Sequence, residues 1–178
     1  MAGAPDMRGN WRADDTAASD VRGGAETLAG RKPDDKTDVP AHVGFATIII
    51  SHGDLAIELK RALEHLMGPQ PRVAALSIPA DEPLATTRAR LRALIGEMRA
   101  GLRGAEGMVF LSDLFGGTPA NLALAEMKRH RPAWLLTGAN LPMLVRLVEL
   151  RGTLAPEAAV EEAAAAGRRF IRTEHNPA

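Results

Sequence analysis

One histidine and one aspartate each follow an apolar run of the sequence that is rich in β-branched residues. His52 comes after VGFATIII at 43–50, separated from it by Ser51, and Asp113 comes after GMVFLS at 107–112. A neutral imidazole is a nucleophile, and a carboxylate that accepts its other N–H fixes the tautomer and stabilises the cation formed on attack. The two residues therefore suit nucleophilic chemistry if the fold brings them together.

A glycine pair lies just beyond Asp113. Gly116 and Gly117 supply backbone N–H groups that are free to turn toward a ligand, and Thr118 followed by proline predicts a helix that starts with Thr118 as its N-cap. A helix N-terminus favours anions, so these residues would suit a phosphoryl group carried on His52. The alternative interpretation is a tight turn that leads into the helix.

Ser51, His52 and Asp113 also contain the residue types of a hydrolase triad. Adjacent residues on a strand point to opposite sides of it, which is poor geometry for a serine and histidine pair. The sequence has neither a GxxxxGK[ST] nor a GxGxxG motif, so it does not indicate a nucleotide site. We therefore rank the hydrolase interpretation below a histidine nucleophile.

The elements that must position these residues alternate between short apolar runs and longer segments of helical period. We expect strands at about 43–50, 72–78, 107–112 and 133–137, and a final edge strand at 170–173. Helices are expected at about 54–67, with Leu55, Leu59, Leu63 and Leu66 on one face, at 83–102, from Thr118, from Leu141, and at 156–166 with Gly167 as its end.

This alternation is typical of βαβ units and predicts an α/β fold with a mostly parallel open sheet, strand order 2-1-3-4, helices on both faces and a C-terminal edge strand. In such sheets ligands bind beyond the carboxyl ends of the strands, where the strand order reverses. Strands 1 and 3 would be neighbours there. His52 and Asp113 should then face each other across one crevice.

Composition excludes several classes of protein and site. The 178 residues contain 22 Lys plus Arg and 22 Asp plus Glu, and this balance argues against a nucleic-acid-binding protein. The absence of Cys excludes disulfides, thiolate metal sites and cysteine nucleophiles. No apolar run approaches the roughly 18 residues of a membrane span, and no secretory signal is evident. We expect a cytoplasmic protein that is at most peripheral to a membrane.

Residues 1–42 differ from the remainder of the chain. They are rich in charged residues, Gly and Pro, with few large apolar side chains to offset the entropy of ordering. We predict a disordered tail at 1–42 and a folded domain at 43–178. A short helix near Ala25 to Ala29 is a weaker prediction.

Three segments of the domain together resemble a known family. IIISHGDLAIELKRALEHLMG, VFLSDLFGGTPANLA and TGANLPML occur in the order and spacing of the mannose-type IIA component (EIIA-Man) of the phosphoenolpyruvate-dependent sugar phosphotransferase system, PTS. The similarity runs from about Phe45 to about Leu150. It implies a phosphotransferase that accepts a phosphoryl group from phospho-HPr on a histidine and passes it to a IIB component.

The resemblance also implies roles for particular residues. His52 would carry the phosphoryl group, Asp113 would be its hydrogen-bond partner, and Thr118 after Gly116 and Gly117 would help to hold the phosphoryl group. The family implies no metal and no organic cofactor. It implies homodimers that exchange a C-terminal edge strand, which would be FIRT at 170–173 in this chain.

Two other interpretations remain open at this point. The first is a non-transferring regulatory binding protein that phosphorylation of His52 switches. The second is the phosphocarrier subunit of dihydroxyacetone kinase, although its corresponding motif differs from DLFGGTP. The sequence does not identify a sugar or a downstream acceptor.

Overall fold

The computed structural model of the chain describes residues 44–102 and 106–175. These residues form alternating strands and helices: β1 (Phe45–His52), α1 (Leu55–Met67), β2 (Val73–Ile78), α2 (Leu84–Ala100), β3 (Gly107–Ser112), α3 (Thr118–Met127), β4 (Ala133–Thr137), α4 (Leu141–Leu150) and α5 (Pro156–Arg169). The predicted tail at 1–42, with its short helix, lies outside the described residues.

The four described strands form one parallel sheet in the order β2-β1-β3-β4. The predicted α/β fold and the strand order are therefore confirmed. The inner strands, β1 and β3, are buried along nearly their whole length, because helices cover the two faces of the sheet. This explains why they read as continuous apolar runs instead of alternating ones.

The core consists of two hydrophobic clusters, one on each face of the sheet. Side chains of β1 alternate between them, with Phe45 and Ile49 on one face and Ile48 and Ile50 on the other. The first cluster contains residues of α1, α4 and α5, and the second contains residues of α2 and α3. The predicted placement of helices on both faces is thus confirmed.

The buried face of α1 differs from the predicted one. Leu63 is buried and Leu59 packs partly against the core, but Leu55 and Leu66 are exposed and the small Ala56 is fully buried. Apolar residues occupy more of the circumference of α1 than the sheet can cover. Spacing alone therefore did not identify which of the leucines would face the core.

Helix α5 continues past Gly167, where the sequence predicts its end. Gly167 is buried where α5 packs on α4, and a Cβ there would lie 2.9 Å from Cε of Met143 and 3.0 Å from Nδ2 of Asn140. The glycine permits the close approach of two helices, and it does not cap one of them.

Residues 170–173 form no strand in the single chain. Phe170 follows the last turn of α5, residues 171–175 have no regular structure, and the Ile171 side chain is exposed. A strand needs the backbone of a neighbouring strand to complete its hydrogen bonds, and this segment has none in the described part of one chain. The predicted C-terminal edge strand is therefore not part of the sheet described for a single chain, unlike the other four predicted strands.

Candidate active site

The side chain of His52 lies at the carboxyl end of β1, beside the loop that follows β3. Its backbone N–H donates to Oδ2 of Asp113 at 2.9 Å, and its ring Nδ1 lies 2.9 Å from the same oxygen. The structure thus brings together the histidine and aspartate singled out in the sequence. The imidazole remains 51% exposed, so a large reactant can still approach the ring.

Asp113 is held by its own loop as well as by His52. Its Oδ1 accepts hydrogen bonds from the Leu114 N–H at 2.8 Å and from the Ser112 hydroxyl at 3.2 Å. Its backbone carbonyl accepts one from the Gly138 N–H at 3.1 Å. These contacts fix the direction in which the carboxylate presents Oδ2 to the ring.

The environment of Asp113 favours its ionised form. Partial burial alone would raise the pKa of the carboxyl, but hydrogen bonds from the His52 N–H, the His52 ring and the Leu114 N–H outweigh it, so the pKa lies below its usual value. An ionised carboxylate can only accept hydrogen bonds. The proton of a neutral His52 ring therefore lies on Nδ1, which leaves the lone pair of Nε2 available for attack.

The glycine pair lies against the free edge of this ring. The Gly117 N–H donates weakly to the Leu114 carbonyl at 3.4 Å, closing a turn in which Gly116 has a φ of +79°. Such a φ is rarely adopted by other residues and is required at the third position of a type II turn. A Cβ on Gly117 would lie only 2.9 Å from Cε1 of His52 and 3.6 Å from Nε2.

Helix α3 begins beside the ring, one residue earlier than predicted. Gly117 is the N-cap, so Thr118 is the first helical residue and Pro119 the second, and the predicted capping role of Thr118 is wrong. No side chain caps this helix, so the hydroxyl of the exposed Thr118 is not used in a cap. The first N–H groups of a helix lack intrahelical acceptors, so this end can receive an anion.

A cavity of about 370 Å³ opens beside His52 and Thr118. The cavity is also lined by the end of β2, the segment that follows it and the start of α2, through Ile78, Pro79, Ala80, Glu82, Leu84 and Thr87. The Glu82 carboxylate accepts hydrogen bonds of 2.6 Å from Thr87 and from Arg90. Local sequence patterns did not single out these lining residues, although Asp81-Glu82 follows β2 at the same edge of the sheet.

The Glu82 carboxylate is kept ionised by its neighbours. Hydrogen bonds from Thr87 and Arg90 lower its pKa, and they outweigh the opposing effect of burial. The neighbouring positive charge of Arg90 limits the repulsion that Glu82 would exert on a phosphoryl group in the cavity.

Two large apolar side chains project from the loop between Asp113 and the glycine pair. Leu114 is 62% exposed and Phe115 is 75% exposed, so neither belongs to the core. Leu141, at the start of α4, differs because it packs partly against the core of the sheet. Exposed apolar residues beside a reactive group are typical of surfaces that bind other proteins.

Ser51 does not fit a nucleophile. Its side chain is buried, and its hydroxyl accepts a 2.7 Å hydrogen bond from the Ala56 N–H. This bond fixes the start of α1 on the far side of the strand from His52. The arrangement gives no support to the hydrolase interpretation.

The described residues hold neither a metal-binding cluster nor a helix able to span a membrane. They contain no group of three or more His, Asp or Glu side chains that could hold a metal ion. None of the helices described for residues 44–102 and 106–175 has the length and apolar character needed to cross a membrane.

Comparison with known proteins connects this chain to one family. The EIIA-man family model, described as the PTS system fructose IIA component, matches residues 46–164. The chain is 28% identical over 111 residues to the PTS system fructose-specific EIIA component of Bacillus subtilis (strain 168), a match that covers 62% of this chain and 73% of that protein.

A second relative is the PTS system mannose-specific EIIAB component of Escherichia coli (strain K12). It is 30% identical over 107 residues, which cover 60% of this chain but only 32% of that protein. The chain thus matches about a third of the length of this relative.

Solved structures agree with the fold. The mannose/sorbose-specific IIA subunit from Enterococcus faecalis has a TM-score of 0.59 and 28% identity, and the match covers 76% of this chain and 98% of that one. The phosphotransferase system component EIIA from Streptococcus agalactiae has a TM-score of 0.64 and covers 72% and 96%, at 23% identity. The latter supports the fold alone.

Proposed function

The chain belongs to the EIIA-man family, the PTS system fructose IIA component, and on this premise we propose that it carries a phosphoryl group on His52. The family implies a role in phosphoryl transfer within the sugar phosphotransferase system. The proposed donor is phospho-HPr, and the proposed acceptor is a IIB component. The observation that carries the proposal is the contact of the His52 backbone N–H and ring Nδ1 with one oxygen of Asp113.

The proposed chemistry is an exchange between two imidazoles. The Nε2 lone pair of His52 attacks phosphorus, a new N–P bond forms, and the N–P bond of the donor breaks with its electron pair returning to the donor ring. His52 becomes a cation that keeps its proton on Nδ1, and the Asp113 carboxylate stabilises that charge. Because reactant and product are both phosphohistidines, positioning and charge neutralisation supply most of the catalysis.

The turn and the start of α3 supply the proposed phosphate-binding groups. A phosphoryl group on Nε2 would lie toward Gly117, since this residue faces that edge of the ring. The N–H and hydroxyl of Thr118, which lines the same cavity as His52, would then donate to phosphoryl oxygens. Gly116 would allow the backbone bend that this approach requires.

The decisive experiment is labelling with phosphoenolpyruvate, enzyme I and HPr. The parent protein should acquire an acid-labile phosphoryl adduct, whereas His52→Ala should acquire none. His65→Ala is a matched control, because His65 lies in the last turn of α1 and is not part of the site. Equal labelling of His52→Ala and the parent would reject the phosphocarrier.

HPr and the acceptor would dock in turn on the surface around the half-exposed ring. Leu114 and Phe115 project beside His52 and are the apolar contacts that such a surface needs. A carrier must release each partner, so we expect a small and short-lived interface. We propose that this chain acts in the cytoplasm, together with both partners of the relay.

We also propose a homodimer in which residues 170–173 join the sheet of the partner. The exposure of Phe170 and Ile171 beyond α5 supports this exchange, because the same apolar side chains would be covered in a dimer. Light scattering should give a dimer mass for the parent and a lower mass for Ile171→Asp. A monomeric parent at micromolar concentration would rule the exchange out.

Transfer to a IIB component can be distinguished from a purely regulatory role by adding a purified IIB component to the phosphorylated protein. Loss of label from His52 with gain on the acceptor supports the relay. Stable label on His52, together with partner binding that differs between His52→Ala and His52→Asp, would instead favour the regulatory alternative.

A further inference from the structure

Asn121 is an exposed residue on the first turn of α3 that makes two contacts with the glycine pair. Its side-chain Nδ2 donates to the Gly116 carbonyl at 3.0 Å, and its backbone N–H donates to the Gly117 carbonyl at 3.0 Å. The backbone contact is an ordinary helical one. The side-chain contact is extra, and it spans five residues back to the residue with the positive φ.

The turn needs such a contact because little else holds its peptide groups. Two consecutive glycines have more backbone freedom than any other pair of residues, and the Gly117 N–H bond that closes the turn is long at 3.4 Å. The carbonyl and N–H of one peptide group point in opposite directions. By holding the Gly116 carbonyl, Asn121 therefore also sets the direction of the Gly117 N–H.

This direction matters at the ring of His52. Gly117 approaches so closely that a Cβ there would lie 2.9 Å from Cε1 of the imidazole. If rotation of this peptide turned its carbonyl oxygen toward the ring, that oxygen would repel a phosphoryl oxygen on Nε2. The Gly116 carbonyl bound by Asn121 is kept from making that rotation.

We propose that Asn121 is a positioning residue that holds the Gly116–Gly117 turn with the Gly116 carbonyl engaged, so that this carbonyl does not turn toward a phosphoryl group on His52. The inference rests on the proposed function, because it assigns this task to a residue that need not touch the phosphoryl group. Substitution of Asn121 should leave the core intact, because its side chain is exposed and lies outside both hydrophobic clusters.

The test compares Asn121→Ala and Asn121→Asp with Leu124→Ala in the full chain. Aspartate preserves the shape of asparagine but cannot donate when ionised, and Leu124 is an exposed residue on the same helix outside the site. NMR spectra of the unphosphorylated proteins report the amide resonances of residues 116–118 and their order on the nanosecond timescale. Labelling kinetics with phospho-HPr report kcat and KM separately.

We expect both Asn121 variants to shift and broaden these amide resonances and to lower kcat by about threefold to tenfold, as loss of one neutral hydrogen bond predicts, with KM unchanged. Leu124→Ala should match the parent in both measurements. Because thermal unfolding is measured in parallel, a variant with parental Tm but lowered kcat supports positioning over a general loss of stability.

Two results would overturn the inference in distinguishable ways. If the parent is labelled and both Asn121 variants match its kcat and its amide resonances, the positioning role is wrong while the phosphocarrier stands. If the parent is not labelled on His52, the proposed function fails and the role of Asn121 fails with it.

Discussion

Replacing Asp113 with asparagine tests the central contact of the site with almost no change in shape. In the parent, Oδ2 of Asp113 receives hydrogen bonds from the backbone N–H and from Nδ1 of His52, each at 2.9 Å. Asparagine can still accept these bonds with its amide oxygen, but it carries no charge. It can also turn its NH₂ group toward the ring, which would favour the tautomer with the proton on Nε2 and block attack.

The size of the effect follows from what changes during transfer. Only interactions that become stronger in the transition state accelerate the reaction, and the Nδ1 contact strengthens as the ring becomes cationic. A hydrogen bond to a charged group contributes about 1.5–3 kcal/mol, and the half-exposed ring keeps the value in that range because solvent screens the pair. At 1.36 kcal/mol for each factor of ten, Asp113→Asn should slow phosphoryl uptake about tenfold to 150-fold.

The assay is the initial rate of label transfer from phospho-HPr to the protein. Asp54→Asn is the matched control, because Asp54 is exposed, lies two residues from His52 and makes no capping hydrogen bond with its side chain. It should retain the parental rate. A parental rate in Asp113→Asn, with the fold intact by circular dichroism, would refute the assignment of Asp113 as the group that stabilises the charged ring.

Four further predictions address the turn, the docking surface, a helix and the pH dependence. Gly117→Ala should slow labelling more than tenfold with little change in Tm, because its backbone tolerates alanine at a φ of −71° but the new Cβ collides with His52; a parental rate would contradict this. Phe115→Ala should raise the KM for phospho-HPr and leave the free energy of unfolding within about 0.5 kcal/mol, since the side chain is exposed; an unchanged KM would remove Phe115 from the interface. Gly96→Ala should raise the free energy of unfolding in urea by about 0.5–1 kcal/mol, because nothing lies within 4 Å of the added Cβ in helix α2, and a loss of stability would contradict this. The pKa of Asp113 lies below its ordinary 3.8, so its stabilising contribution is present above that pH and disappears as the pH falls through the lowered value; a stability difference between the parent and Asp113→Asn that does not shrink in acid would argue against it.

The features predicted correctly from the sequence were those imposed by strong local patterns. The bounds of β3 and β4 agree with the predicted ones, because each strand is a short apolar run set off by Gly, Pro or a charged residue. The juxtaposition of His52 and Asp113 follows from topology, since neighbouring parallel strands end at the same edge of the sheet. Neither inference needs side-chain packing.

The features that were missed depend on contacts between distant segments. Nothing in the local sequence indicates that Gly167 of α5 packs against Met143 of α4, so the glycine was predicted to end the helix. The exposure of the Leu55 side chain similarly depends on how far the sheet extends under α1. The predicted strand at 170–173 is the extreme case, because the proposed exchange between chains would give it partners only in a dimer.

The difference in burial between the His52 and Asp113 side chains explains how the imidazole can be both exposed and well positioned. In the proposed relay His52 must reach the phosphoryl group of another protein, which excludes burying the imidazole, yet a freely rotating ring would lose the orientation that transfer needs. Here the side chain of Asp113 is only 14% exposed and is tied to its own loop through Oδ1, while Oδ2 holds the ring. The rigidity therefore resides in the aspartate and the β3 loop, and the histidine gains orientation from one side while its Nε2 edge stays open. A site built in this way should lose transfer rate when the Asp113 loop is loosened, even if His52 and its exposure are unchanged.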